Sequence, residues 1–256
     1  MIFATDLDRT LIYSHKFLNG IKEEDILLVE SLEGKEISFM SRQAVKQLNK
    51  LKKFVTIVPV TTRTIKQFQR VKIFAMQKYA IVANGAIILE NGKPLQEWNE
   101  IVDAMLETYR PLFENITSLL QNQKCIIRKP EVLENAFIFT KTDNANECEH
   151  LLLDKLDLKL WNISIQGKKV YILPKEITKE NALDFLKDKV LKDNFVISAG
   201  DSILDKGMLE YADYAILPKH GTLYGRADLN VKNLIIVDNG IFSADDILRK
   251  VEMIAK

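Results

Sequence analysis

The sequence predicts an α/β fold, in which a doubly wound (Rossmann-like) parallel sheet is interrupted by an inserted α+β unit. Strand-like apolar runs and helix-like stripes alternate over residues 1–84; this alternation stops at Asn84-Gly85 and resumes after Pro174. At 256 residues the chain is long for one core and suits one large domain with an insert, or two modest domains. We therefore predict a core of residues 1–84 and 174–256 and an inserted domain of residues 85–173.

The first predicted element is a short buried strand, Ile2-Phe3-Ala4, which is followed by two carboxylates separated by one leucine. Residues i and i+2 of an extended chain point to the same face, so Asp6 and Asp8 can enter one crevice. Such a pair is tolerated when a divalent cation lies between the carboxylates or when one of them takes up a proton. The pair could also simply cap a turn after the strand, where aspartate is common.

A hairpin and a helix are predicted next. The segment Ile26–Phe39 is typical of a hairpin that turns near Gly34. Because this hairpin comes soon after the acidic pair, it could form a flap over the site, or it could be a plain edge hairpin. Ser41 is a typical N-cap for a helix whose apolar stripe includes Leu48 and Leu51.

Two further strands are predicted to join the parallel sheet. The run Phe54–Val60 ends in Thr61-Thr62-Arg63, and the run Tyr79–Ala83 follows after one helix. That helix is predicted from four apolar residues at helical spacing, Ile65, Phe68, Val71 and Ala75. The β-α-β-α-β order indicates parallel strands with right-handed crossovers.

The insert is predicted to contain, after a hairpin around Asn91-Gly92, a helix, two strands, a second helix and two more strands. Its first helix contains Pro111, which lacks an N–H and should kink or restart the helix. After the insert, a helix is predicted over Thr178–Leu191 and a strand over Phe195–Ala199, which ends in Gly200-Asp201-Ser202-Ile203-Leu204-Asp205. Two short strands and a last helix complete the core.

Composition and charge limit the possible partners. With 47% hydrophobic and 28% charged residues, the chain is typical of a folded globular protein. The net charge is only +1, so there is no electrostatic reason to expect a nucleic-acid or membrane partner, and a small molecule is the expected one. Cys125 and Cys148 are too few for a disulfide framework and lack zinc-site spacing. No export signal or bilayer-spanning apolar run is recognised, so we expect a cytoplasmic protein.

Four short motifs together resemble those of the haloacid dehalogenase (HAD) superfamily of phosphohydrolases. They are Asp6-Leu7-Asp8-Arg9-Thr10, Thr61 before Thr62-Arg63, Lys179 at the start of a helix, and Gly200-Asp201-Ser202-Ile203-Leu204-Asp205. The motifs occur in the family's order, and three of them follow predicted strands, where an open α/β sheet binds its ligands. The αββαββ insert resembles the type IIB cap of Cof-like and sucrose-phosphatase-like members.

The resemblance implies a magnesium-dependent phosphatase that forms an aspartyl-phosphate and acts on a small phosphorylated metabolite, with sugar phosphates favoured by the cap type. Asp6 would be the nucleophile. Asp8 would protonate the leaving alcohol and later deprotonate the attacking water, for which its pKa must lie above that of Asp6. Thr61 and Lys179 would bind the transferring phosphoryl group.

The resemblance also implies a set of Mg²⁺ ligands, namely Asp6, the backbone carbonyl of Asp8, and Asp201. Asp205 could ligate the metal through water or could hold Lys179 in place, and the sequence leaves both interpretations open. A phosphotransferase or mutase would use the same aspartyl-phosphate. A regulator that binds a phosphorylated ligand without turning it over is the alternative from a different class.

Further residues have weaker assignments. Thr62 and Arg63 of the core are candidates for contact with the substrate. Arg128 of the insert is another candidate, although a basic residue on a cap strand is usually just solvated. Leu204 stands where Cof-like members usually have asparagine, so we expect somewhat weaker metal affinity. The three histidines have no ligand spacing among them and are expected to be surface or packing residues: His15, His150 and His220.

Overall fold

The computed structural model describes residues 1–256. It separates into two compact units, one formed by Met1–Leu95 with Lys179–Lys256 and the other by Gln96–Thr178. The strands, in chain order, are β1 (Ile2–Thr5), β2 (Ile26–Leu32), β3 (Lys35–Ser41), β4 (Thr56–Pro59), β5 (Tyr79–Val82), β6 (Ile87–Glu90), β7 (Lys93–Pro94), β8 (Ile126–Leu133), β9 (Phe137–Thr142), β10 (Trp161–Gln166), β11 (Lys169–Pro174), β12 (Val196–Ala199), β13 (Tyr214–Pro218) and β14 (Leu234–Val237). The α-helices are α1 (Arg42–Leu51), α2 (Ile65–Gln69), α3 (Lys72–Ala75), α4 (Gln96–Leu106), α5 (Arg110–Gln121), α6 (Ala145–Lys155), α7 (Lys179–Phe185), α8 (Lys206–Tyr211) and α9 (Ser243–Ile254).

The first unit is built on a five-stranded parallel sheet in the order β14-β13-β12-β1-β4. All four residues of β1 are buried, as expected for a parallel strand that is covered on both faces. One core cluster contains Phe3 of β1, Leu48 of α1 and Val251 of α9, so the first and last elements share a core. The predicted parallel α/β sheet is confirmed, but β5, which was predicted to join it, pairs antiparallel with β6 in a separate sheet of β5, β6 and β7 and meets β4 only through the parallel bridge of Val60 with Ile81. Because β1 lies between β12 and β4, the residues that follow these three strands end at one edge of the sheet.

The predicted hairpin is formed by β2 and β3. It turns through Glu33 and Gly34, both with positive φ (52° and 76°), the backbone that a tight hairpin turn needs. Its register is irregular on both sides of Glu30. Glu30 is the fully buried position of β2, whereas Leu28 and Leu32 are exposed. A charged side chain therefore points inward where an apolar one would be expected.

The helix predicted from the stripe of Ile65, Phe68, Val71 and Ala75 is wrong in one respect, because the structure divides it into α2 and α3. Val71 leaves the helical conformation, with φ −89° and ψ 76°. After this break Phe74 is fully buried, while Ala75 is only half-buried. The interruption thus brings a large aromatic side chain into the core in place of a small one.

The second unit contains a four-stranded antiparallel sheet in the order β10-β11-β9-β8, together with α4, α5 and α6. The predicted restart at Pro111 is confirmed, since α4 ends and α5 begins again at Arg110 with the proline in its first turn. Trp161 of β10 packs edge-on against Tyr109 and tilted against Phe113, with ring centroids 5.1 and 5.7 Å apart. This unit therefore has an aromatic core of its own.

The remaining helices follow the predicted order. The helix predicted over Thr178–Leu191 is α7, which continues as a wider π-helical stretch over Leu186–Leu191 and ends at Lys192 in a left-handed conformation. None of the helices combines the length and the apolar character needed to span a bilayer.

Ser41 fixes the start of α1 and also contacts the last helix. Its Oγ accepts a hydrogen bond from the Ala44 N–H at 2.9 Å and donates one to the carboxylate of Asp245. Because Ser41→Ala removes both bonds, we expect the free energy of unfolding in urea to fall by about 1–2 kcal/mol. Ser31→Ala on the exposed hairpin is the control and should change stability by less than about 0.5 kcal/mol. Equal losses in the two variants would contradict this role.

Candidate active site

Three of the predicted site residues lie where strands of the parallel sheet end. Asp6 follows β1, Thr61 follows β4 and Asp201 follows β12, and all three are buried. The N–H of Asp6 donates to the carbonyl of Ala199 at 2.8 Å, which continues the pairing of β1 with β12 beyond the strand. The sheet itself therefore sets the position of the first carboxylate.

Lys179, the first residue of α7, brings two carboxylates together. Its Nζ donates to Oδ1 of Asp6 at 2.8 Å and to Oδ1 of Asp205 at 2.5 Å, and all three side chains are buried. Burial alone would lower the pKa of Lys179, but Asp205 and Asp6 raise it above its ordinary value. The side chain is thus held as an ammonium ion in the middle of the site.

Asp205 is held on both of its oxygens. While Oδ1 contacts Lys179, Oδ2 accepts hydrogen bonds from the hydroxyl and N–H of Ser202 at 2.8 and 2.9 Å and from the N–H of Asp201 at 3.2 Å. A Cβ on Gly200 would lie 2.5 Å from the Cβ of Asp205, so glycine is needed for this close approach. Of the two open interpretations, the structure places Asp205 directly against Lys179.

Asp6, Asp201 and Asp205 form a buried acidic cluster whose oxygens lie within 4.8 Å of one another. Burial, followed by the charge of Asp205, raises the pKa of Asp201 to about 7. Burial also raises the pKa of Asp6 well above its ordinary value; Lys179 opposes this effect and the neighbouring carboxylates add to it. Oδ2 of Asp201 is buried and accepts no hydrogen bond, and Nε of Arg9 lies 3.3 Å from it. The cluster therefore has more negative charge than its partners compensate.

Asp8 lies in a different environment from Asp6. Its side chain is 46% exposed, and Arg63 holds it through a two-pronged contact, Nε to Oδ2 at 2.7 Å and Nη2 to Oδ1 at 2.8 Å. Although burial would lower the pKa of Arg63, its pairing with Asp8 and Glu30 raises it. Arg63 was predicted as a substrate contact, and here its guanidinium binds protein carboxylates.

Glu30 of β2 is a site neighbour that the sequence did not reveal. Its carboxylate is fully buried and accepts hydrogen bonds from Arg63 at 2.9 Å, Arg70 at 2.9 Å and Ser38 at 2.7 Å. Burial opposes ionisation, but the bonds from Arg63, Ser38 and Arg70 lower its pKa below the ordinary value. The available signal was a lone carboxylate within the apolar run of a predicted strand.

His220 is a second neighbour, expected from the sequence only as a surface or packing residue. Its Nε2 lies 2.7 Å from the carbonyl of Arg9, and its Nδ1 accepts from the N–H of Gly240 at 3.1 Å. Arg9 returns a bond from Nη2 to the carbonyl of His220 at 2.6 Å and has positive φ (64°). The imidazole is therefore neutral, with Nε2 as donor, and fixes the loop that carries the acidic pair.

The other predicted site residues are placed as follows. The hydroxyl of Thr61 accepts from the N–H of Arg63 at 3.2 Å, which orients the start of the following turn. Thr62 is half-buried. Arg128 lies in the second unit, where it is exposed, pairs with Glu131 at 2.9 Å and lies over the ring of Phe139.

The chain is similar to known proteins in sequence and in fold. The family of haloacid dehalogenase-like hydrolases matches residues 107–222. Among solved structures, the sucrose-phosphatase of Synechocystis sp. PCC6803, determined with sucrose and phosphate, has a TM-score of 0.69 at 16% identity and covers 99% of this chain and 97% of its own. A trehalose-6-phosphate phosphatase related protein has a TM-score of 0.59 at 15% identity, covering 99% and 98%.

A haloacid dehalogenase-like hydrolase from Bacillus subtilis has a TM-score of 0.61 at 13% identity and covers 97% of this chain and 99% of its own. No curated protein matches the chain. The family match confirms the resemblance that the four motifs indicated, and with it the expectation of an enzyme. The solved structures confirm the fold.

The neutral state of His220 makes stability depend on pH. Burial lowers its pKa below the ordinary value, and the charge of Arg9 lowers it further against the opposing bond to the Arg9 carbonyl. Stability from a depressed histidine pKa is present above the ordinary value and is lost as pH falls through the folded-state pKa. We therefore expect the stability difference between wild type and His220→Gln in urea to shrink from about pH 8 to about pH 5. A difference that is constant with pH would show that the ring only fills space.

Proposed function

Since the chain is similar to haloacid dehalogenase-like hydrolases in sequence and in fold, we propose that it is a magnesium-dependent phosphatase acting on a small phosphorylated metabolite. The observation that carries this proposal is a buried set of four charged residues after β1, after β12 and at the start of α7, namely Asp6, Asp201, Asp205 and Lys179. A phosphate monoester repels nucleophiles, so its transfer needs cations around the phosphoryl oxygens and an attacking group held in line. These residues supply both.

The proposed reaction has two steps. In the first, a carboxylate oxygen of Asp6 attacks phosphorus, the bond to the ester oxygen breaks, and Asp8 gives its proton to the leaving alcohol. In the second, Asp8 takes a proton from water, which attacks the aspartyl-phosphate and releases inorganic phosphate. Lys179 contacts Asp6 at 2.8 Å and would place its positive charge beside the transferring group, with the Thr61 hydroxyl as a further donor.

The residues present fit Mg²⁺, a hard cation that prefers oxygen ligands. The buried Oδ2 of Asp201 accepts no hydrogen bond and is paired only loosely with Nε of Arg9 at 3.3 Å, so it is available as a metal ligand. We assign Asp6 and Asp201 as side-chain ligands, with the backbone carbonyl of Asp8 from the resemblance, and we assign Asp205 to holding Lys179 because both its oxygens are engaged. When bound, the metal supplies positive charge against the phosphoryl oxygens.

A sugar phosphate is the favoured substrate class. Two of the similar structures are a sucrose-phosphatase and a protein related to trehalose-6-phosphate phosphatase. We further propose that the αββαββ unit, Gln96–Thr178 in the structure, is the cap of the enzyme. A panel of phosphorylated sugars, assayed for phosphate release with Mg²⁺, tests the substrate class, and analysis of the sugar products separates hydrolysis from transfer to a second sugar.

Asp6→Asn tests the nucleophile, because the change keeps the volume of the side chain and replaces the nucleophilic carboxylate with a neutral amide. We expect magnesium-dependent release of 4-nitrophenol from 4-nitrophenyl phosphate to fall by more than about 100-fold, with thermal unfolding still cooperative. Glu36→Gln on the exposed hairpin is the matched control and should retain activity. A wild-type protein that binds phosphate esters and releases no phosphate would instead be a regulator.

Arg9→Gln tests the assignment of Asp201 as a metal ligand. The guanidinium of Arg9 lies 3.3 Å from Oδ2 of Asp201 and repels a cation at that oxygen. We therefore expect Mn²⁺ or Mg²⁺ to bind roughly tenfold more tightly to Arg9→Gln, as measured by isothermal titration calorimetry without substrate. Arg226→Gln, which removes an exposed arginine paired with Asp228, should leave metal affinity unchanged. Weaker binding in Arg9→Gln would mean that Arg9 orients Asp201 for the metal.

A further inference from the structure

The hairpin of β2 and β3 contributes a buried charge that packing alone does not explain. The side chain of Glu30 is fully buried, although Leu28 and Leu32 of the same strand are exposed. The register between β2 and β3 shifts between Leu28 and Glu30 and again between Glu30 and Ser31. Such irregularities bend a strand and redirect a side chain, and they are frequent beside active sites. The hairpin is therefore shaped to turn this carboxylate inward.

Burying this carboxylate requires partners, and each of them is in place. Oε1 of Glu30 accepts from Nη1 of Arg63 and from Nε of Arg70, both at 2.9 Å, and Oε2 accepts from the hydroxyl of Ser38 at 2.7 Å. A buried ionic network of this kind is usually no more stable than apolar side chains of the same volume. Apolar residues at positions 30, 63 and 70 together would serve the core as well, so the network calls for another explanation.

The network leads directly to Asp8. Nη1 of Arg63 donates to Glu30. The edge of the guanidinium formed by Nε and Nη2 donates to Oδ2 and Oδ1 of Asp8. A guanidinium is planar, so an anchor on one edge fixes the direction of the opposite edge. Asp8 is 46% exposed and Arg63 only 11%, so the buried partner orients the exposed one.

We propose that Glu30 is a positioning residue of the reaction: it anchors Arg63, whose fork orients Asp8, and one of the two bonds from Arg63 opens when Asp8 carries the proton that it gives to the leaving group. This inference rests on the proposed phosphatase activity. It gives the β2–β3 hairpin a part in catalysis through Arg63. A displacement of about 1 Å in a catalytic group can lower the rate on the order of 100-fold. A buried carboxylate that prevents such a displacement of Asp8 would therefore be retained although it costs desolvation energy.

The test uses two substrates of similar size that differ in how much they need a proton donor. Benzyl phosphate releases an alcohol that must be protonated, whereas 4-nitrophenyl phosphate releases a stable phenolate. The ratio kcat/KM reports the first irreversible step, which is transfer to Asp6. For Glu30→Gln we expect kcat/KM to fall about 10- to 100-fold for benzyl phosphate and only a few-fold for 4-nitrophenyl phosphate. For benzyl phosphate, the fall should come from a lower kcat with KM nearly unchanged.

The controls separate positioning from folding. Glu36→Gln makes the same chemical change on the exposed strand of the same hairpin and should leave both substrates unaffected. Arg63→Lys keeps the charge but loses the fork, and it should reproduce the selective loss even where Glu30→Gln folds poorly. Glu30→Asp, which restores the charge, should recover part of the benzyl phosphate rate.

The outcomes are distinct. A wild-type protein that hydrolyses neither ester with Mg²⁺ overturns the proposed function itself. A wild type that hydrolyses both, together with variants Glu30→Gln and Arg63→Lys that lose both substrates equally or lose neither, overturns the positioning role and leaves the phosphatase proposal standing. A selective loss of benzyl phosphate turnover in both variants supports the inference.

Discussion

The structure depends above all on the ammonium group of Lys179. It lies between Asp6, which ends the first strand, and Asp205, which belongs to the loop after β12, and every one of these groups is shielded from water. Buried carboxylates without a cation would carry a desolvation cost of several kcal/mol each. The start of α7 and the ends of β1 and β12 are therefore held together by charge as well as by the core.

Two aspartates separated by a single residue acquire opposite surroundings from this arrangement. Asp6 points inward, faces Lys179 and has a raised pKa because burial disfavours its charge. Asp8 is half-exposed and faces Arg63, which is itself anchored on Glu30. The leucine between them, fully buried, separates the two environments. A two-residue step along one chain is therefore enough to give two carboxylates different surroundings. The raised pKa of Asp6 is the reverse of what a nucleophile needs, and a cation bound beside Asp6 would lower it.

The parallel sheet and the residues at its strand ends could be predicted from the sequence, because strand-end positions follow from the alternation of elements and the parallel order of the strands. The burial of Glu30 could not be predicted, since it depends on a register shift in β2 that leaves no mark in the periodicity of side chains. His220 was missed for a related reason: its partner Arg9 is 211 residues away in the chain. The break at Val71 escaped because Phe68 and Val71 keep helical spacing across it, while burial shifts from Ala75 to Phe74.

The position of β1 in the sheet has a consequence for synthesis on the ribosome. This strand precedes the other strands in the chain, yet one of its two edges pairs with β12, whose residues Val196–Ala199 are translated after the whole second unit. Until then β1 can pair only with β4, and its other edge presents open backbone N–H and C=O groups. Lys179 and Asp201 are equally late, so neither the sheet nor the charge balance around Asp6 is complete during most of elongation. The nascent chain must be kept from edge-to-edge association for that interval, which is where aggregation during expression would begin.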